Sequence, residues 1–377
     1  MSRRERRVIR SDGFIDTIII AAPPAIRFSE APLSDLRRDD PRLELLRHWL
    51  QQGLGWHDLH LAPASADASF RRYFRVGGRD RDTVVAMDAP PDKEDVEPYL
   101  RVAAMLADIG VNAPRVLARN AADGFLLLTD LGAVTYLAEL ADPGRAEVLY
   151  RDAIGALVQI QARGRQHAQS LPPYDERLLR FEMSLFTDWL LGRHLELGLS
   201  PGESAALATA FDALVTNALE QPQGFVHRDY HSRNLMVCPG ANPGILDFQD
   251  AVRGALTYDL VSLLRDCYVE WPQEQVLRWA LDFRRQAQQA GLPVGHDEAQ
   301  FLRWFDLMGI QRHLKASGIF ARLWHRDGKP GYLPDVPRTL GYIVGACSRH
   351  AEFGALGALV SERVLPAVQA SLGAGRA

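Results

Sequence analysis

A chain of 377 residues, 47% apolar and 24% charged, has the composition of a folded globular protein with a substantial core and room for two domains. Its formal net charge of −4 is small for that length and argues against a polyanion such as nucleic acid as an obligate partner. No run reaches the roughly 18 to 20 apolar residues of a membrane-spanning helix. Three cysteines, Cys238, Cys267 and Cys347, lack metal-ligand spacing and read as buried thiols in a reducing cytoplasm.

The first residues, "MSRRERRVIRSDGFIDTIIIAAPPAIR", turn from basic to apolar and faintly imitate a signal peptide. The apolar run is short, broken by Pro23 and Pro24 and edged by Asp16, so residues 1–38 read as a loosely attached extension. The first predicted helix starts in "DPRLELLRHWLQQGLG": Asp40 caps it, Pro41 suits its first turn, and Leu43, Leu46, Trp49 and Leu50 recur at helical spacing. "SFRRYFRVGGRDRDTVVAMDAP" predicts two strands joined by a Gly-Gly and charged turn. "KEDVEPYLRVAAMLADIG" predicts an amphipathic helix ended by Gly110. "PRVLARNAADGFLLLTDLG" follows with a strand, a turn at Asp123-Gly124 and a buried strand. Beyond about residue 134 the pattern is helical, except around residues 225–250, where short apolar runs alternate with polar loops. The predicted organisation is an N-terminal extension over 1–38, a small β-rich N-lobe over 39–132 and a larger, mainly helical C-lobe over 133–377.

The exception holds the chemistry. "HRDYHSRNLMVCPGANPGILDFQD", beginning at His227, places Asp229 five residues before Asn234 and then Asp247 in an apolar strand. Phosphoryl transfer from ATP asks for one carboxylate that orients the attacking hydroxyl and accepts its proton. It also asks for hard oxygen ligands that hold Mg²⁺ against the phosphates. Asp229 suits the first task; the amide of Asn234 and the carboxylate of Asp247 suit the second. Pro239-Gly240 and Asn242-Pro243-Gly244 predict a short hairpin that returns Asp247 beside the other two.

These residues resemble the aminoglycoside-phosphotransferase branch of the protein-kinase-like superfamily, whose catalytic stretch reads His-x-Asp-x-His-x-x-Asn followed by Ile-Leu-Asp-Phe. The resemblance covers roughly residues 40–370 and implies an α+β, bilobal protein-kinase-like fold. His231 matches the branch's second histidine, and His227 orients the loop from behind. "GALTYDLVSLL" matches the following segment, which implies that Asp259 is a buried carboxylate bracing the catalytic loop. More narrowly, "HRDYHSRNLMV", "GILDFQDAVRGALTYDLVSLLRDCY" and "GIQRHLKASGIFARL" with "RDGK" resemble the bacterial anomeric sugar kinases of cell-wall recycling, which act on N-acetylmuramate and N-acetylglucosamine. That resemblance implies ATP as co-substrate, Mg²⁺, a small amino sugar as acceptor, a cytoplasmic setting, and no membrane, nucleic-acid or obligate protein partner.

The sequence departs from a protein kinase in two places. No glycine-rich loop is visible, and "VVAMD" puts Asp88 where a strand lysine is expected. Ser69, in the loop "SADASFRRYFRV", is a candidate to approach phosphates, and Arg71, or failing it Arg72, to replace the lysine. The backbone of Asp130 and Leu131 is the candidate adenine-binding hinge. Between residues 300 and 340 seven cations face three carboxylates. A basic acceptor lobe suits a neutral or anionic substrate better than a polycationic drug, and Arg312, His313 and Lys315 are its candidate contacts. Rival readings are another small-molecule kinase of the same fold, for an aminoglycoside, choline or homoserine, and a nucleotide-binding protein without catalysis.

Overall fold

The computed structural model describes residues 40–57, 59–66, 70–78 and 81–374; residues 1–38 and Ser69 lie outside the described residues. The chain divides into two compact units, one of Met1–Leu100 and Pro114–Asp130, the other of Arg101–Ala113 and Leu131–Ala377. One division falls between Asp130 and Leu131, within "TDLG". The second falls inside the helix Glu97–Ile109, whose later turns belong with the C-terminal unit.

In the first unit, five strands form one antiparallel sheet: β1 (His60–Ala66), β2 (Arg72–Gly78), β3 (Arg81–Asp88), β4 (Val116–Asn120) and β5 (Phe125–Thr129), ordered β1-β2-β3-β5-β4. Strand pairing brings Phe74, Ala86 and Leu127 into one row, with Phe74 opposite Ala86 and Ala86 opposite Leu127. That row packs with Leu43 and Leu46 of the first helix, Pro41–His48, and with Trp49 and Leu50 of the turn that continues it. Asp40 caps this helix by accepting the N–H groups of Arg42 and Leu43, both at 3.1 Å. Leu126 and Leu128, on the other face of β5, are also buried, which explains a continuous apolar run where alternation would otherwise be expected. Gly124 is required at its turn: its φ is +73°, and a Cβ there would lie 1.8 Å from the Ala89 carbonyl oxygen.

Asp88 gives the sheet an ionic centre. Its carboxylate is fully buried and accepts Nε of Arg42 and Nε of Arg72, each at 3.0 Å. Arg72 also pairs with Asp40, and Arg42 reaches the Asp123 carbonyl at 2.6 Å. Arg75 is held by Asp130, with Nε 2.6 Å from Oδ2. Strand β2 starts at Arg72, so Arg71 precedes the strand.

The second unit is helical around two short strand pairs: β6 (Gln223–Val226) with β9 (Val252–Ala255), and β7 (Leu235–Met236) with β8 (Gly244–Ile245). The helix Pro201–Glu220 begins with a full capping box between Ser200 and Glu203. At the centre runs the 30-residue helix Glu298–Asp327, buried at every position from Trp304 to Lys315. Gly318 lets it cross close to the helix Glu176–Leu185, because a Cβ there would meet the Leu185 carbonyl carbon at 2.2 Å. Among the described residues no helix is long and apolar enough to cross a membrane. Cys267 and Cys347 are buried free thiols, whereas Cys238 is only partly covered.

Candidate active site

Strand β6 ends at Val226, and the chain leaves it through a strained corner. Arg228 has φ +78°, a left-handed backbone unusual for a residue with a side chain. One carboxylate holds that corner. Asp259, fully buried on the helix Tyr258–Leu264, accepts the N–H groups of His227 at 2.6 Å and Arg228 at 2.9 Å. Burial pushes the Asp259 carboxyl up to about 7, although both N–H groups favour its charged form. A second carboxylate, Asp266, braces the next turn by accepting the N–H groups of Ser232 and Tyr268, both at 2.9 Å. Asp266 was not anticipated. The available signal was an acid inside the apolar "LVSLLRDCY", because a buried acid needs donors.

The three candidate residues Asp229, Asn234 and Asp247 are joined through Asn234. Its Nδ2 donates to the Asp229 carbonyl at 3.1 Å and to Oδ2 of Asp247 at 3.3 Å. The Leu246 N–H donates to the Asn234 carbonyl at 2.9 Å, tying this loop to the segment after β8; Asp247 lies two residues beyond the end of that strand rather than inside it. Asp247 itself has φ +61°, and its Oδ1 accepts Nε2 of Gln249 at 2.9 Å. The hairpin expected from the turn residues is present, with Leu235 opposite Ile245 and Met236 opposite Gly244. Among the described residues no three His, Cys, Asp or Glu side chains converge as a metal cage. A carboxylate beside an amide is instead a two-ligand oxygen set, which suits Mg²⁺, an ion that keeps waters and takes further oxygens from phosphate.

Charge around Asp229 is arranged to keep it ionised. Burial alone would raise its pKa, but Lys315, His231 and Arg228 outweigh it and hold the carboxyl below the usual range. Arg228 and Lys315 share the buried carboxylate of Glu182, with Lys315 Nζ 3.0 Å from Oε1 and 3.0 Å from the Tyr258 hydroxyl. Burial also works against the charge of Glu182, and Lys315 and Arg228 reverse it, so its pKa too is lowered. Burial depresses the pKa of His231, despite the nearby carboxylates Asp266 and Asp229.

His227 is fully buried, and its Nδ1 accepts the Asp229 N–H at 3.2 Å, which requires an unprotonated Nδ1. Burial pushes its pKa down to about 4 from 6.5. The unfolded chain therefore binds a proton here that the folded chain refuses between those values. Stability contributed by neutral His227 is complete above about pH 6.5 and falls as the pH drops towards 4, by at most ~1.4 kcal/mol per pH unit. Denaturant titrations from pH 7 to 4 should show this slope in the native chain and a shallower one in His227→Asn.

The acceptor contacts expected from the 300–340 charge excess are differently employed. Arg312 is 6% exposed with Nη1 3.6 Å from Cys267 Sγ, and His313 is buried with its ring nitrogens 2.6 Å and 2.9 Å from the carbonyls of Gly309 and Arg265. Lys315 serves Glu182. Arg303, Arg326 and Arg338 pair with Glu352, Asp327 and Asp335. The physical reason for Arg312, His313 and Lys315 is the central position of this helix, which is buried from Trp304 to Lys315; Arg303, Arg326 and Arg338 lie nearer the surface and pair there. Of the nucleotide candidates, Arg72 is committed to Asp40 and Asp88, Asp130 to Arg75, and the Leu131 carbonyl accepts the Cys238 thiol at 3.3 Å.

A small antiparallel sheet unit, a helical unit and a loop uniting Asp229, Asn234 and Asp247 define the kinase-like class of phosphotransferases. The model of the phosphotransferase enzyme family matches residues 60–302, and the chain belongs to that family. It is 48% identical over 333 residues to the N-acetylmuramate/N-acetylglucosamine kinase of Pseudomonas aeruginosa, covering 86% of this chain and 97% of the relative. It is 45% identical over 322 residues to the protein of the same name from Neisseria meningitidis, covering 85% and 95%. The fold is similar to that of Plasmodium vivax ethanolamine kinase, with a TM-score of 0.59 at 11% identity over 84% of this chain and 92% of that one.

Proposed function

We propose that the chain is an ATP- and Mg²⁺-dependent kinase for the anomeric hydroxyl of N-acetylmuramate or N-acetylglucosamine, serving cytoplasmic recycling of cell-wall sugar. The observation that carries this reading is Asn234, whose amide touches both the Asp229 backbone and the Asp247 carboxylate. Relatives at 48% and 45% identity bearing the sugar-kinase name supply the acceptor class.

In this reading the sugar hydroxyl donates to the Asp229 carboxylate, which takes its proton as the oxygen–phosphorus bond forms and the bond to ADP breaks. Asn234 and Asp247 would hold Mg²⁺, which supplies charge neutralisation at the phosphates. His231, neutral and with no hydrogen bond to Nδ1 among the described residues, directs its imidazole to the transferring phosphoryl group. Asp259 and Asp266 keep the loop backbone fixed, so the base meets its substrate without reorganising. With Arg72 engaged by carboxylates, Arg71 is assigned to the triphosphate, Ser69 to its backbone cradle, and the backbone at Asp130 and Leu131 to adenine.

The test is phosphorus NMR of the product formed from ATP and N-acetylmuramate. A phosphorus signal coupled to the anomeric proton is expected. A 6-phosphate would overturn the assigned position, and absence of ADP formation with either sugar would overturn the acceptor class.

A further inference from the structure

Arg233 stands out from the cations considered so far. It lies four residues beyond Asp229 in the same loop, it is exposed, and it makes no hydrogen bond or ion pair among the described residues. Aromatic rings hold it instead. Its guanidinium carbon lies 3.8 Å from the ring centre of Tyr268 and 5.3 Å from that of Tyr332. Tyr332, from the short helical turn Pro330–Asp335, stacks on Phe320 at 5.7 Å with 22° between the planes, and Phe320 also meets Tyr268 at 6.2 Å. Tyr268 in turn sits edge-on to His231 of the catalytic loop at 5.4 Å.

This arrangement has a definite chemical meaning. Stacking covers the faces of a guanidinium and leaves its in-plane N–H donors available, the fork that matches a carboxylate bidentately. The rings restrict the side chain beforehand, so less conformational entropy is lost when an anion arrives. Asp335 lies within electrostatic reach of Arg233, and Arg338 already holds it, with Nη1 2.9 Å from Oδ1. By contrast, Lys315 is held by Glu182 and the Tyr258 hydroxyl, and Arg312 is only 6% exposed. The four-residue separation also keeps Arg233 close to the base, since such a stretch spans at most about 14 Å.

We propose that Arg233, held by Tyr268 and Tyr332, is the specificity-determining contact for an acceptor that carries a carboxylate next to its amino-sugar ring. This inference rests on the sugar-kinase reading above and deepens it. N-acetylmuramate bears a lactyl ether carboxylate; N-acetylglucosamine has a hydroxyl in its place. Arg233 therefore sets the preference between two acceptors that share the same reacting hydroxyl, and it does so through charge.

The experiment measures kcat/KM for both sugars in the native enzyme, Arg233→Ala and Arg233→Lys. In Arg233→Ala the ratio of N-acetylmuramate to N-acetylglucosamine is expected to fall at least tenfold, mainly through a higher KM for N-acetylmuramate. Arg233→Lys, which keeps the charge but loses the fork, should lie between the two. The methyl ester of N-acetylmuramate, which keeps the shape without the charge, should lose its sensitivity to the substitution. A ratio within twofold of native in Arg233→Ala would overturn the proposal, as would an ester as sensitive as the acid. Inactivity of the native enzyme towards both sugars would instead overturn the sugar-kinase reading on which the proposal stands.

Discussion

Asp229→Asn should fold as the native chain does and lose turnover by ~10² to 10⁴, the usual share of a positioned general base. The two side chains have the same shape, and the contacts that fix residue 229 run through its backbone: its N–H to His227 and its carbonyl to Asn234. Folding should therefore survive, while the amide cannot take the hydroxyl proton. Because Lys315, His231 and Arg228 hold the native carboxyl below its usual range, it is charged throughout the neutral region and ready to accept. The measurement is ADP release with either amino sugar, beside a thermal unfolding curve. Native rates from a fully folded variant would remove Asp229 from the mechanism.

Asp88→Ala should lower folding stability by about 3 to 5 kcal/mol, the range for removing one partner of a buried ion pair. Asp88 is fully buried between two partly exposed arginines, so its loss leaves both guanidinium groups without a shared buried carboxylate. The two arginines are not affected equally. Arg72 retains Asp40, whereas among the described residues Arg42 retains the Asp123 carbonyl and the face of Phe125, 4.6 Å from its guanidinium carbon. Urea denaturation would read the change as a lower midpoint at an unchanged slope. A loss below about 1 kcal/mol would mean that the cluster is a solvated decoration of the sheet.

Asp88 is an acid at the strand position where a kinase lysine is expected. Reading along the chain reveals the exchange and suggests that another cation replaces the lysine. It cannot reveal that Asp88 recruits Arg42 from 46 residues away, because that pairing depends on where the first helix docks against the sheet. Much the same holds for the acceptor side. A count of cations over residues 300–340 is correct as arithmetic. It carries no information on which of them a central helix buries, as it does Arg312 and Lys315, or on which find a carboxylate there, as Lys315 does in Glu182.

Local signals were sufficient for the helix over Pro41–His48, the Gly124 turn, the β7–β8 hairpin and the order Asp229, Asn234, Asp247, because each depends on residues close in sequence. Asp259, 31 and 32 residues from the N–H groups it accepts, was legible only through the resemblance of "GALTYDLVSLL" to the family's segment. Tertiary structure alone decided that Asp266 braces the loop, that Glu182 balances Arg228 against Lys315, and that Tyr268 and Tyr332 embrace Arg233. Those partners come from separate segments, and charges or rings so far apart in the chain acquire partners only when packing brings their elements together.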